Sequence, residues 1–279
     1  MAAWMLSRGG PGLGTLLRPL CCWADGLIHG MAQPGTWDRF YLQQDAAGTP
    51  SHFNWFFDYT AISALLLPAL QGGAPPESNS SPMQVLDVGC GTSDLGLGLY
   101  RDSHHPLHIS CVDVSPVAIR SLRRLLQEVP PPRHSLSQLH LHVADATNLG
   151  GRFGDGSFHM VLDKGTCDSL LRCPQGPGQA QRLVAECLRV LRPGGSLWQF
   201  SDEDPDARIP FLEQAGGASV TVQEIRHNDG ICYYVYKLSR PALETPTDEA
   251  LGQEGPGGCG GGTSGTLPRG SGGLRDRLY

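Results

Sequence analysis

Residues 85–96 read VLDVGCGTSDLG. Apolar residues around Asp87 give a short buried strand that stops at Gly89. Gly89 and Gly91 permit a tight turn and close backbone approach to a ligand. A helix over 93–101 follows. Strand, glycine turn and helix in that order open an α/β sheet. A dinucleotide fingerprint would be G-x-G-x-x-G, with a pyrophosphate on the helix N-terminus. Here the six residues are G-C-G-T-S-D. Asp94 stands in the last glycine's place, where its carboxylate would repel a pyrophosphate.

The alternation continues from residue 83 to residue 239. MQVLDV (83–88), LHISCVDV (107–114), LHLHVAD (139–145), FHMVLD (158–163) and SLWQFSD (196–202) are five apolar strands. SPVAIRSLRRLLQEV (115–129) is an amphipathic helix with Ser115 as its N-cap and Pro116 at its first position. QAQRLVAECLRVLRPGG (179–195) is a second helix, with proline and glycine at its exit. SVTVQEIR (219–226) and ICYYVYKLS (231–239) flank an Asn-Asp-Gly turn and predict a β-hairpin. The fold class is α/β: a mainly parallel sheet, helices on both faces, and a C-terminal antiparallel hairpin.

Ligands of such sheets sit beyond the carboxyl ends of the strands. Those exits carry Asp87, Asp113, Asp145, Asp163 and Asp202. Aspartate favours turns in any protein, but five acids in five exits ask for a further reason.

The ends of the chain differ from its middle. Residues 1–30 hold Arg8 and Arg18, no acid before Asp25, and many small or apolar residues. That composition predicts a mitochondrial transit peptide. Residues 31–82 form an aromatic-rich cap and a linker, 83–240 the core, and 241–279 a Gly/Pro-rich tail that buries too little apolar surface to order. The net charge of −6 argues against nucleic acid as the main partner. No stretch approaches the ~18 apolar residues of a membrane span. Nine scattered cysteines without C-x-x-C spacing predict reduced thiols in an intracellular compartment. His104, His105 and His108 predict a solvated loop, so no metal site is expected.

The D-x-G-x-G order of Asp87, Gly89 and Gly91, with Asp113 and Asp145 at the next two exits, resembles the seven-stranded S-adenosylmethionine-dependent methyltransferases. Their sheet is Rossmann-like, and their cofactor carries no phosphate. The resemblance implies that Asp87, Gly89 and Gly91 form the cofactor turn. It also implies that Asp113 meets the ribose hydroxyls and that Asp145, with Ala146 beside it, meets the adenine. The fourth exit reads Asp163-Lys164-Gly165-Thr166, and D-K-G-T-x-D resembles a group of protein lysine methyltransferases. WDRFYLQQ (37–44), HFNWFFDY (52–59) and FSDEDPD (200–206) are similar to the branch that acts on mitochondrial citrate synthase.

The implied activity is methyl transfer from S-adenosylmethionine to a lysine of citrate synthase, in the mitochondrial matrix. Asp163 is the implied catalytic position, orienting the amine. Trp55 and Tyr59 are expected to bind substrate within the aromatic layer. Asp202 and Asp204 are expected to dock a basic segment. Lys164 is expected to be a turn residue that points outward or pairs with Asp168, and Thr166 to cap the next helix. Two alternatives stand beside this reading: a small-molecule methyltransferase, and a non-catalytic cofactor-binding partner or assembly factor.

Overall fold

A computed structural model describes residues 29–46, 51–71, 81–216, 219–226 and 230–240. The chain divides into Met1–Leu243 and Glu244–Tyr279, and every described residue belongs to the first unit. The expected transit peptide, nearly all of it, and the expected tail lie outside the described residues, as does the Asn-Asp part of the hairpin turn.

Seven strands form one sheet: β1 (Met83–Val88), β2 (Leu107–Asp113), β3 (Gln138–Val143), β4 (Phe158–Lys164), β5 (Leu191–Ser201), β6 (Val220–Arg226) and β7 (Cys232–Ser239). Their order is β3-β2-β1-β4-β5-β7-β6. The first five are parallel, while β7 runs antiparallel to β5 and to β6. The chain starts in the middle of the sheet, so the order reverses between β1 and β4. That reversal opens a crevice at the carboxyl ends.

Helices cover both faces. On one face lie α1 (Pro34–Ala46), α2 (Thr60–Gln71), α3 (Leu95–Asp102) and α4 (Pro116–Glu128). Their apolar sides pack with Val85, Ile109, Met160, Leu162 and Phe200. On the other face lie α5 (Thr166–Leu171), α6 (Pro177–Val190) and α7 (Pro205–Gly216), packed on Leu86, Val88, Val112, Val161 and Leu197. The odd and even residues of each strand divide between the two cores, as the period of two requires. Ser115 caps α4 by accepting from Ala118 N at 3.2 Å, as its sequence position predicts.

One boundary differs from expectation. The helix expected over 179–195 ends at Val190, and β5 begins at once at Leu191. The Arg-Pro-Gly-Gly stretch is a bulge within the strand. The register with β4 jumps from Phe158↔Leu191 to Met160↔Ser196. Arg240 closes the bulge: Gly194 N donates to Arg240 O, and Arg240 N to Gly195 O, both at 2.9 Å. A residue just beyond β7 decides this, so the local Pro-Gly signal could only announce a break.

Candidate active site

A cavity of about 330 Å³ lies beside the β1/β4 switch. That is the size range of small-molecule sites. Gly89, Gly91, Asp113, Asp145, Ala146 and Thr166 line one side, and Trp37, Tyr41, Phe53 and Trp55 the other.

The glycine turn is built to leave no room for side chains. Gly89 and Gly91 have φ of 61° and 53°, in the left-handed region. A Cβ on Gly89 would collide with the Thr166 hydroxyl, and one on Gly91 with the Tyr41 hydroxyl. Asp113 fixes the turn to the second strand. Its Oδ2 accepts from Gly91 N and its Oδ1 from Ser115 N, both at 2.8 Å. Burial pushes this carboxyl up to about 6, against the pull of those two amides. Each oxygen keeps a second acceptor direction for a ligand hydroxyl. Asp145 is exposed on the cavity rim and ties its own loop, accepting from Thr147 N and Oγ1 at 2.8 Å.

The residues after the turn anchor the aromatic segment. Phe53 N donates to Thr92 Oγ1 at 3.0 Å. Asn54 Oδ1 accepts from Ser93 Oγ at 2.9 Å and from Asp94 N at 3.2 Å. Tyr59 N donates to Asp94 Oδ1 at 2.9 Å. Asp94 therefore has a structural task in addition to its charge. The aromatic rings divide their roles. Trp37, Phe53 and Trp55 face the cavity, with Trp55 at 5.9 Å centroid distance from each of the other two. Phe40 and Phe56 pack behind them.

Several expected site residues lie elsewhere. Asp163 does not line the cavity: it leaves β4 on the α5–α7 face, 1% exposed. Its carboxylate accepts from Thr166 N at 2.9 Å, from Cys167 N at 3.3 Å and from Gln199 Nε2 at 2.8 Å. It caps α5 in place of Thr166, whose hydroxyl donates to Val88 O at 3.0 Å. Burial pushes its carboxyl up to about 7. Asp87 is also buried beneath the turn and off the cavity wall, raised to about 7 by burial against the pull of Lys164. Tyr59 packs on α3 where Gly98 leaves space, away from the cavity. Asp202 pairs with Arg172 at 2.5 Å, and Asp204 accepts from Asp206 N at the start of α7. Both acids thus have a local partner, and Asp204 stays exposed.

Lys164 contradicts expectation most. It is 7% exposed and makes no pair with Asp168, whose partner is Arg208 at 2.7 Å. Strand alternation places consecutive residues on opposite faces, so Lys164 enters the aromatic side. Burial holds its ammonium down at about 8. Tyr41, Thr166, Gln179 and Arg182 also reach the cavity. Tyr41 lay within the WDRFY stretch but carried no signal of its own. Arg182 reads as an ordinary exposed helix position.

The cavity suits S-adenosylmethionine. A cradle that any Cβ would fill admits close backbone contact, and the carboxylates of Asp113 and Asp145 suit hydroxyls and a cation. Trp55 Nε1 is a buried donor without a partner on the cavity wall. Among the described residues no cluster could hold a metal ion, and no helix is long and apolar enough to cross a membrane.

Seven strands in this order, with a glycine cradle at the switch point, define the class I S-adenosylmethionine-dependent methyltransferases. Residues 85–195 match the family model described as a methyltransferase domain. The 1,6-didemethyltoxoflavin-N1-methyltransferase of Burkholderia thailandensis shares the fold, with TM-score 0.50 and 16% identity over 84% of this chain and 93% of that one. The chain belongs to the mitochondrial citrate synthase-lysine N-methyltransferase family. It is 48% identical to the Homo sapiens member over 72% of this chain and 84% of that protein. To the Danio rerio member it is 40% identical, over 76% and 85%. The EEF1A lysine methyltransferase 4 of Mus musculus is 26% identical over 78% of this chain and 79% of its own length.

Proposed function

We propose that this protein transfers a methyl group from S-adenosylmethionine to a lysine side chain of citrate synthase in the mitochondrial matrix. The observation that carries the reading is the two-sided cavity. One wall is the glycine cradle with Asp113, and the other is the aromatic segment that closes on the β4 exit. A donor and a narrow amine-bearing chain can meet between them.

Gly89, Gly91, Asp113, Asp145 and Ala146 would hold the cofactor, which when bound supplies a methyl already activated on a sulfonium. The protein then has to orient and desolvate. Trp37, Phe53 and Trp55 form an apolar wall that excludes water. An amine held there loses its proton more readily than in water, where its pKa is ~10.4. Aromatic faces also favour a cation close by. Asp163 acts at one remove, by fixing the first turn of α5 and with it Thr166. Asp202 is paired with Arg172, while Asp204 is exposed and keeps acceptor positions for a basic segment of the partner.

The test is direct. The full chain is incubated with labelled methyl donor and purified citrate synthase, and the modified residue is located by mass spectrometry. Label on a lysine is expected, and Asp113→Ala should abolish it together with binding of S-adenosylhomocysteine. Label confined to small molecules would favour the small-molecule alternative. Cofactor binding without label in a mitochondrial extract would favour a non-catalytic partner.

A further inference from the structure

Lys164 is a buried charge that the reaction leaves unused. Its Nζ donates to Phe57 O at 3.0 Å, Trp55 O at 3.1 Å and Asn54 Oδ1 at 3.3 Å. An ammonium has three N–H bonds, so these three acceptors satisfy it. Two of the acceptors flank Phe56, the one described non-glycine residue with a left-handed φ, at 68°. Phe57 N donates to Trp55 O at 3.0 Å across that residue. This is a γ-turn of the rare positive-φ kind, a strained backbone that persists only where its surroundings over-determine it. The turn brings the carbonyls of Trp55 and Phe57 together, and such a pair of oxygens needs a cation or donor between them.

The neighbouring residue completes the seat. A Cβ on Gly165 would collide with the Trp55 indole. Lys164 therefore grips the backbone of Trp55 while Gly165 makes room for its ring. Asn54, the third acceptor, also takes Ser93 Oγ and Asp94 N from the glycine turn. One ammonium thus connects the β4 exit, the aromatic wall and the cofactor loop.

We propose that Lys164 is a positioning residue for methyl transfer. It holds the strained turn at Phe56 and thereby fixes Trp55 across the cavity from the glycine cradle. The proposal rests on reading that cavity as the transfer site.

Hydrogen–deuterium exchange of the full chain tests it without any substrate. In Lys164→Met, the amides of 53–59 should exchange at least about tenfold faster, because charge-assisted bonds to carbonyls are lost. Amides of β1 and β4 should keep their wild-type rates. Lys164→Gln, which keeps two N–H donors without charge, should show a smaller change in the same segment. On citrate synthase, kcat for Lys164→Met should fall about tenfold or more, with KM for the methyl donor within about threefold. Unchanged exchange over 53–59 in both single variants would overturn the proposal. So would loosening spread evenly over the sheet. A wild-type chain inactive on citrate synthase would sink the substrate assignment, while the exchange experiment would still decide the role of Lys164.

Discussion

Asp163 and Lys164 are adjacent on β4, yet their side chains serve opposite faces of the sheet. Asp163 Oδ2 takes Gln199 Nε2 from β5 at 2.8 Å, while Lys164 Nζ reaches Phe57 O in the aromatic segment at 3.0 Å. One charge fixes the helix behind the strand exit, and the other fixes the wall in front of it.

Asp163→Ala should leave three buried donors unpaired and cost about 2–3 kcal/mol of stability. Cofactor binding should persist, while transfer falls as α5 and Thr166 shift. Asp163→Asn keeps one acceptor and should do less on both counts. Denaturant melts beside transfer assays check this. Loss of transfer by Asp163→Asn at unchanged stability would return Asp163 to direct contact with the amine.

Gly89→Ala should be strained and should collide with Thr166, costing about 1–3 kcal/mol. Affinity for S-adenosylhomocysteine should drop about tenfold or more, since each factor of ten is only ~1.4 kcal/mol. A Cβ on Gly151 would have nothing within 4 Å of it, so Gly151→Ala should stay within about 0.5 kcal/mol of wild type. Calorimetric titration of both variants checks the contrast.

Arg208 and Asp168 form an ion pair at 2.7 Å with 1% and 2% of their side chains exposed. Arg208 also donates to Ser201 Oγ and Cys167 Sγ, both at 3.1 Å. Arg208→Met leaves a buried carboxylate uncompensated and should cost about 3–5 kcal/mol. Replacing both, as Asp168→Leu with Arg208→Met, should be clearly less damaging. Urea midpoints of the three chains decide it, and a double variant weaker than the single one would refute the reading.

Asp87 and Asp163 are raised to about 7 and Asp113 to about 6, each mainly by burial. Between about pH 4 and pH 7 these three carboxyls bind more protons in the folded chain than in the unfolded one, while His159, lowered to about 4 mainly by burial, binds fewer and opposes them in part. Stability from these groups is greatest at the acid end of that window and falls as pH rises through it. Lys164, lowered to about 8, acts only above that, where its contribution to stability rises with pH. Asp102 and Glu186, held down by Arg101 and Arg189, act on the acid side. The urea midpoint of the cofactor-free chain should be higher near about pH 5.5 than near about pH 7.5, and Asp87→Asn should flatten the difference. The reverse order would contradict the assignment.

The sequence by itself determined the order of strands and helices and the place of the glycine turn, and its resemblance to a methyltransferase family implied the cofactor. The order and the turn are written in local periods: alternation in strands, 3.6 in helices, and glycine where a positive φ is required. MQVLDV became β1 without a residue's error, and Ser115 capped its helix as its position predicts. Asp113, Gly89 and Gly91 reached the cavity because strand exits point there in any sheet of this order. Only the tertiary structure decided which side of the sheet each exit residue serves and what it meets. Asp163 and Lys164 exchanged their expected prominence because alternation sends one to Gln199 and the other to carbonyls 107 and 109 residues earlier in the chain. Burial of a lysine depends on those distant acceptors, and no local pattern encodes them. The same holds for Asp202 and Tyr59: a polar rim and an aromatic ring acquire partners only when the chain closes on itself.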